Sequence, residues 1–158
     1  MDISELKNIK IEVINKENKK LAPTNLLVAR TLIARDKAIW IKEDKMIMLL
    51  QTKKEFKEFK NKIIAEENRV CYICNVTIPE NEHATIDHVN PKSKYGKDNR
   101  ENLHCCCKRC NDDKGNMDIE QYYNHIKANI NKYYYINIDK LYKLKVEYSL
   151  KKKQIGGI

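Results

Sequence analysis

The sequence predicts an α+β fold in which short strands and amphipathic helices lead into a cysteine-rich segment. Residues 9–15 alternate apolar and polar side chains, as a half-buried strand does. Thr52-Lys53-Lys54-Glu55 is a capping box that begins a helix. Two Cys-x-x-Cys pairs, with 32 residues between them, can hold a metal ion that joins distant parts of the chain. The length of 158 residues suits one ordinary domain or two very small ones.

Residues 1–51 predict a small N-terminal module with the element order β-α-β-β. The expected elements are a strand at 9–15, a helix from Thr24 or Asn25 to about Asp36, and strands at 38–41 and 46–50. A polar turn at residues 16–20 separates the first strand from the helix. This order predicts a small sheet with one helix packed on it.

Residues 52–69 predict a linking helix with one apolar stripe. The stripe contains Phe56, Phe59, Ile63 and Ile64, and lysines occupy much of the remaining surface. Those lysines form either a solvated face or a face that contacts phosphates. The sequence leaves both interpretations open.

Residues 118–158 predict a C-terminal helix followed by a basic tail. Asp118 can cap the helix, and apolar residues follow it at helical spacing. Lys151-Lys152-Lys153 and Gly156-Gly157 are typical of a frayed terminus. Tyr133-Tyr134-Tyr135 is interpreted as packing, with stacking on nucleic-acid bases as the alternative.

The net charge of +9 and a pI near 9.2 suggest a polyanionic partner. The formal net charge is +5 for residues 1–70, zero for residues 71–116 and +4 for residues 117–158. Attraction to phosphates is therefore expected to come from the flanks of the cysteine-rich segment.

The six cysteines are expected to be reduced and in part metal-bound. The N-terminus is too polar for a secretory signal, and no apolar run is long enough for a membrane helix. A cytoplasmic location follows as an expectation, and thiols there favour metal over disulfides. The predicted ligands of one structural zinc are Cys71, Cys74, Cys107 and Cys110. Cys105 and Cys106 are interpreted as packing residues on a strand, although either could replace Cys107 as a ligand.

The segment between and around the cysteine pairs resembles a known family. Asp87-His88, Asn102 and Asn111, together with the loop Asn90–Gly96, resemble the HNH endonucleases, the ββα-metal or His-Me finger class. The resemblance implies that residues 70–117 form a nuclease core of this type, joined by the zinc. It also implies a substrate of double-stranded DNA, and a phage or mobile-element origin in a bacterial or phage-infected host cytosol.

The same resemblance implies a role for each polar residue of the core. His88 would be the general base, and Asn102 would hold the loop and orient the histidine. Asp87 and Asn111 would bind a catalytic Mg²⁺ or Mn²⁺ through oxygen atoms. The residues expected to contact DNA are Lys92, Lys94, Arg109 and Lys114. A homodimer is possible, because one such site cuts one strand at a time.

Two other interpretations compete with an enzyme. The first is a non-catalytic, zinc-containing module that binds nucleic acid, and the second is a protein-interaction zinc finger. Retention of Asp87, His88 and Asn111 together favours catalysis over both. Separately, Lys20-Leu21-Ala22-Pro23 is similar to the Pro-Leu-Met-Pro module of transposon-encoded, RNA-guided nickases. We interpret the N-terminal module as a structural part that docks on the nuclease, with nucleic-acid contact as the alternative.

Overall fold

The computed structural model describes the backbone of residues 2–155 and the side chains up to residue 153. It confirms the predicted α+β class. The chain divides into two compact units, Met1–Phe59 and Lys60–Ile158, and the division falls within the long helix α3 (Lys53–Glu66). Among the described residues, no helix is both long and apolar enough to cross a membrane.

The first unit is a four-stranded sheet with two helices. Its elements before α3 are α1 (Ile3–Asn8), β1 (Lys10–Ile14), β2 (Lys20–Asn25), α2 (Leu26–Ala34), β3 (Ala38–Lys42) and β4 (Met46–Leu49). The strand order is β2-β1-β4-β3, with β1 and β4 parallel and the other pairs antiparallel. The core side chains are Ile11, Val13, Leu26, Ala29, Ala38 and Ile47.

The predicted order β-α-β-β was incomplete, because the sequence did not reveal α1 and β2. Helix α1 has only six residues, too few to show periodicity. Asp2 and Glu5 form a capping box at its N-terminus. Strand β2 lies at the edge of the sheet, is largely exposed and contains Pro23. An edge strand tolerates proline and needs no apolar alternation, so it resembles a turn in sequence. Asn25 then caps α2 as predicted, accepting from the Val28 amide at 2.9 Å.

The second unit contains a two-stranded sheet and three helices after α3. These elements are β5 (Thr85–His88), β6 (Leu103–Cys106), α4 (Lys108–Lys114), α5 (Ile119–Ala128) and α6 (Ile138–Ile155). Strands β5 and β6 are antiparallel, with Asp87 opposite His104 and His88 opposite Leu103. The order strand, strand, helix agrees with the predicted ββα core, and the Asp-His pair lies at the end of its first strand.

Residues 118–158 were predicted as one helix followed by a basic tail, and the structure has the helix, α5, but a second long helix, α6, where the tail was expected. Helix α6 runs for 18 residues and includes the lysines at 151–153. Leu141 is fully buried and Leu144 and Tyr148 pack on the same core, which also contains Tyr122 and Tyr133. The many lysines on the exposed side of α6 obscure this apolar face in the sequence. Gly156 and Gly157, which were assigned to the tail, lie outside the described residues.

Helix α3 ends at Glu66, before the end of the linking helix predicted at residues 52–69. Asn68 and Arg69 have φ angles of 50° and 55°, in the left-handed region that ends a right-handed helix. The Thr52 capping box forms as predicted, with Glu55 accepting from the Thr52 amide at 2.6 Å. Tyr133 packs in the core as predicted, whereas Tyr134 is 85% exposed.

Candidate functional site

Four cysteine side chains meet where the segment before β5 approaches α4. The sulfur atoms of Cys71, Cys74, Cys107 and Cys110 all lie within 4.8 Å of one another. Tetrahedral Zn–S bonds of about 2.3 Å would place the sulfurs about 3.8 Å apart, and those of Cys74 and Cys107 are separated by 3.9 Å. The four cysteines are thus positioned to hold a metal ion such as zinc.

The start of helix α4 helps to build this cluster. Cys107 is the N-cap residue of α4, and its sulfur accepts a hydrogen bond from the Cys110 amide at 3.5 Å. The Cys-x-x-Cys spacing therefore places both sulfurs at the first turn of the helix. There the helix dipole favours negative charge, which suits thiolate ligands.

The two remaining cysteines lie beside the cluster and do not join it. The Cys106 sulfur is 3.8 Å from that of Cys71, and Cys105 packs with Ile78 and Ala84. Both are on β6 and fully buried, as expected of packing residues. The cluster contains Cys107, as predicted, and does not contain Cys105 or Cys106.

Contacts among the cysteine thiols shift their pKa values in opposite directions. Hydrogen bonds from Cys106, Cys110 and Cys74 hold the pKa of the Cys71 thiol well below its usual range. The bond to Cys71 raises the pKa of Cys106 and of Cys110, and burial raises them further. The close approach of the sulfur atoms therefore lowers the pKa of one thiol and raises the pKa of its neighbours.

Asp87 is buried against α4 and carries two polar contacts. Its Oδ2 accepts from the Tyr72 hydroxyl at 2.5 Å and lies 3.0 Å from the Lys114 ammonium. Burial, followed by the Asp87 charge, raises the pKa of Tyr72 well above its usual range, so Tyr72 stays a neutral donor. Tyr72 in turn stacks on His104, with ring centroids 5.2 Å apart.

Lys114 was predicted to contact the scissile phosphate, and its placement contradicts that prediction. Its side chain is 0% exposed, and its ammonium also donates to the His88 carbonyl oxygen at 2.7 Å. An ammonium enclosed in this way cannot reach a phosphate in solvent. Lys114 instead joins α4 to the end of β5 and compensates the charge of Asp87.

His88 follows Asp87 on β5 and has a different partner. Its Nε2 lies 2.7 Å from Oδ1 of Asp98, and the two side chains are 12% and 3% exposed. Neighbouring residues of a strand face opposite sides, which explains why Asp87 and His88 contact different parts of the unit. Sequence reasoning missed Asp98, since an acidic residue ten positions after a histidine in a loop follows no recognisable spacing.

The loop between β5 and β6 is closed by Asn102. Its side-chain oxygen accepts from the Asn90 amide at 2.7 Å, and its side-chain nitrogen donates to the carbonyls of Asn90 at 3.0 Å and Lys97 at 2.9 Å. One side chain thus ties both arms of the loop that carries Asp98. Gly96 is required inside it, because an added Cβ would lie 1.9 Å from the Asn90 carbonyl oxygen.

Asn111 lies on α4 and faces the same side of β5 as Asp87. Its side-chain nitrogen donates to the Thr85 hydroxyl at 2.8 Å, and Thr85 and Asp87 are two residues apart on the strand. The amide oxygen of Asn111 is therefore directed away from Thr85. The contacts of Asp87 with Tyr72 and Lys114 both use Oδ2, so Oδ1 is the oxygen that could face a cation. One carboxylate and one amide oxygen are donors of the type that Mg²⁺ takes in proteins.

The other residues predicted to contact DNA lie at the surface. Lys92 and Arg109 are exposed, and the Arg109 guanidinium lies 3.4 Å from the centre of the Tyr135 ring. Lys94 is partly neutralised, because its ammonium lies 2.8 Å from the Asp118 carboxylate. Contact of Lys92 and Arg109 with DNA stays a prediction, and Lys94 mainly fixes the loop to the start of α5.

Comparison with known proteins finds a family match within the second unit. Residues 71–127, about a third of the chain, match a family model described as HNH endonuclease. No curated protein and no solved structure matches the chain. The family match does not extend into the first unit, so the N-terminal resemblance to a nickase module stays a prediction. Residues 71–127, from the cysteine cluster into α5, are thus similar to the HNH endonuclease family.

Proposed function

We propose that the chain is a metal-dependent endonuclease that hydrolyses phosphodiester bonds of double-stranded DNA. The observation that carries the proposal is the fixed histidine: His88 Nε2 lies 2.7 Å from the buried Asp98 carboxylate. This histidine stands at the position that the HNH resemblance assigns to the general base. A histidine held by a carboxylate in this way is a common arrangement for proton transfer.

The proton transfer follows from the tautomer that Asp98 selects. When Asp98 accepts from Nε2–H, the lone pair lies on Nδ1, which can take a proton from a water molecule attacking phosphorus. Asn102 supports this step indirectly, because it fixes the loop that carries Asp98. A bound Mg²⁺ or Mn²⁺ would stabilise charge on the phosphoryl and leaving oxygens. Asp87 and Asn111 are the residues that would hold it.

Double-stranded DNA is the proposed partner because of the charge distribution. Residues 1–70 carry a net +5 and residues 117–158 a net +4, whereas the segment between them is neutral. Binding is therefore expected to depend strongly on salt. A double-strand break would require a homodimer or two successive visits, and a cytoplasmic location is part of the proposal.

The second candidate function is a non-catalytic, zinc-containing module that binds nucleic acid. The observation in its favour is the buried pair of Asp87 and Lys114, which gives the carboxylate a structural partner. The fixed His88 favours the enzyme, because binding alone needs no proton acceptor beside a phosphate.

A plasmid-nicking assay with Mg²⁺ and with Mn²⁺ tests the proposal. The variant His88→Ala should lose cleavage by about 10²- to 10⁴-fold, the usual contribution of a positioned base, and should keep its fold and DNA affinity. The control is His83→Ala, since His83 is exposed and precedes β5. Cleavage by His88→Ala at the wild-type rate would overturn the assignment of the base. Binding without cleavage by the wild type would establish the second candidate.

Variants of Asn111 test the proposed cation site more cleanly than variants of Asp87. Replacing Asp87 would also leave Lys114 buried without its partner, so loss of activity would have two causes. Asn111→Asp keeps an oxygen donor and adds charge, whereas Asn111→Ala removes the donor. The proposal expects Asn111→Asp to need less added Mg²⁺ for half-maximal nicking than Asn111→Ala. Equal Mg²⁺ requirements would remove Asn111 from the site.

A further inference from the structure

An aromatic side chain stands exposed on the loop that carries the partner of His88. Tyr95 is 64% exposed. Among the described residues, none hydrogen-bonds its hydroxyl or stacks on its ring. The other strongly exposed tyrosines differ in this respect. Tyr134 packs edge-on against Tyr135 at 5.8 Å, and Tyr142 contacts Tyr123 at 5.6 Å.

The backbone of Tyr95 is held in a conformation that tyrosine disfavours. Its φ and ψ are 59° and 26°, in the left-handed region, where a bulky side chain is strained and glycine or asparagine is not. The surrounding loop fixes this geometry, since the Tyr95 amide donates to the Lys92 carbonyl at 3.1 Å and Gly96 admits no Cβ. Strain of this kind persists where a side chain serves something other than the fold.

The surroundings of Tyr95 favour an anionic, aromatic partner. The loop from Pro91 to Lys97 carries three lysines, of which Lys94 is paired with Asp118, and no acidic residue of its own. It leaves β5 just after His88 and continues to Asp98, which holds His88. A flat exposed ring within a positively charged loop is the combination that stacks on nucleic-acid bases.

We propose that Tyr95 stacks on a DNA base beside the phosphodiester bond attacked by the water that His88 activates, and that the protein thereby favours DNA in which a base face is accessible. A paired and stacked base offers no free face, whereas an unpaired base does. The protein should therefore bind a duplex with one unpaired base more tightly than a fully paired duplex. This inference rests on the proposed function only for the position of the scissile bond, because stacking itself requires no catalysis.

The test compares binding of two fluorescein-labelled duplexes, one fully paired and one with a single unpaired base. Binding is followed by fluorescence anisotropy, without added Mg²⁺ and without chelator, so that a structural zinc is retained. Tyr95→Gly should weaken binding of the unpaired-base duplex by about 5- to 150-fold, the usual effect of losing one base–aromatic stack. Tyr95→Phe should bind as the wild type does, because the ring is kept.

Two further measurements separate a contact with DNA from a contribution to the fold. Tyr95→Gly should leave the melting temperature unchanged or higher, because glycine relieves the strained φ. Tyr134→Gly, at another exposed tyrosine, should leave the preference for the unpaired base unchanged. The proposal is overturned if Tyr95→Gly binds both duplexes as the wild type does. A marked fall in its melting temperature would also overturn it, since the ring would then serve packing.

The outcome is distinguishable from failure of the proposed hydrolysis. If the wild type prefers the unpaired-base duplex through Tyr95 but never cuts DNA, the stacking inference stands and the catalytic proposal fails. If the wild type nicks DNA and Tyr95→Gly binds and nicks equally well, the catalytic proposal stands and the stacking inference fails.

Discussion

Replacing Lys114 by methionine should strongly destabilise the second unit, because Lys114 neutralises a buried carboxylate. The Lys114 ammonium lies 3.0 Å from Asp87 Oδ2, and the two side chains are 0% and 6% exposed. At that separation and an effective dielectric constant of about 20, the attraction is about 5 kcal/mol. Removing one partner of a buried pair costs about 3–5 kcal/mol, because the other charge is left uncompensated. The His88 carbonyl also loses a donor.

A loss of about 4 kcal/mol is a large share of a typical unfolding free energy of about 5–15 kcal/mol. The loss of unfolding free energy is measured by urea denaturation of the zinc-loaded protein, monitored by far-ultraviolet circular dichroism. The matched control is Lys108→Met on the same helix, whose partner Asp112 is 62% exposed. An exposed pair of this kind contributes about 0–1 kcal/mol.

The double variant Asp87→Asn with Lys114→Met isolates the interaction of the two charges. It should be less destabilised than the sum of the single variants by about 2–3 kcal/mol, because no buried charge remains. A Lys114→Met protein as stable as Lys108→Met would refute the assigned role of Lys114.

Three further perturbations address the cysteine cluster, the loop and the last helix. Cys110→Ser should bind less than half an equivalent of zinc by metal analysis and lose helical circular dichroism, because a structural zinc supplies folding free energy; a folded variant would contradict this. Gly96→Ala should lower the unfolding free energy measured in urea, since the new Cβ meets the Asn90 carbonyl oxygen at 1.9 Å, whereas Gly115→Ala tests backbone strain, since Gly115 has a φ of +50° and its Cβ would lie 3.8 Å from the nearest backbone oxygen; a Gly96→Ala protein as stable as the wild type would contradict the clash. Deleting residues 138–158 should unfold the second unit, because Leu141 is fully buried; soluble, folded protein by circular dichroism would show that α6 is dispensable.

Local chemistry determined the parts of this protein that the sequence predicted correctly. The meeting of Cys71, Cys74, Cys107 and Cys110 follows from ligand spacing, since two residues between cysteines suit one metal ion. The Thr52 capping box and the Asn25 and Asp118 caps follow from side chains that bond to amides two or three positions away. All of these contacts are short in sequence, so each can be recognised without knowing the fold.

The resemblance to HNH endonucleases supplied the candidate catalytic residues but not their environment. It identified His88 without its partner Asp98, and Asp87 without Lys114. Both pairs depend on how the loop after β5 and the helix α4 fold back on the strand. A lysine within a polar helical segment gives no sign in sequence that its ammonium will be enclosed.

Tertiary structure alone decided β2 and α6. Strand β2 is an edge strand whose side chains remain largely exposed, so its stability comes from backbone pairing with β1 and not from an apolar pattern. Helix α6 is highly charged, and only packing against α5 shows that Leu141 is a core residue. An element can be predicted from sequence where the contact that stabilises it is local or has a fixed spacing. It cannot be predicted in this way where its stability depends on burying a few side chains against elements distant in the chain.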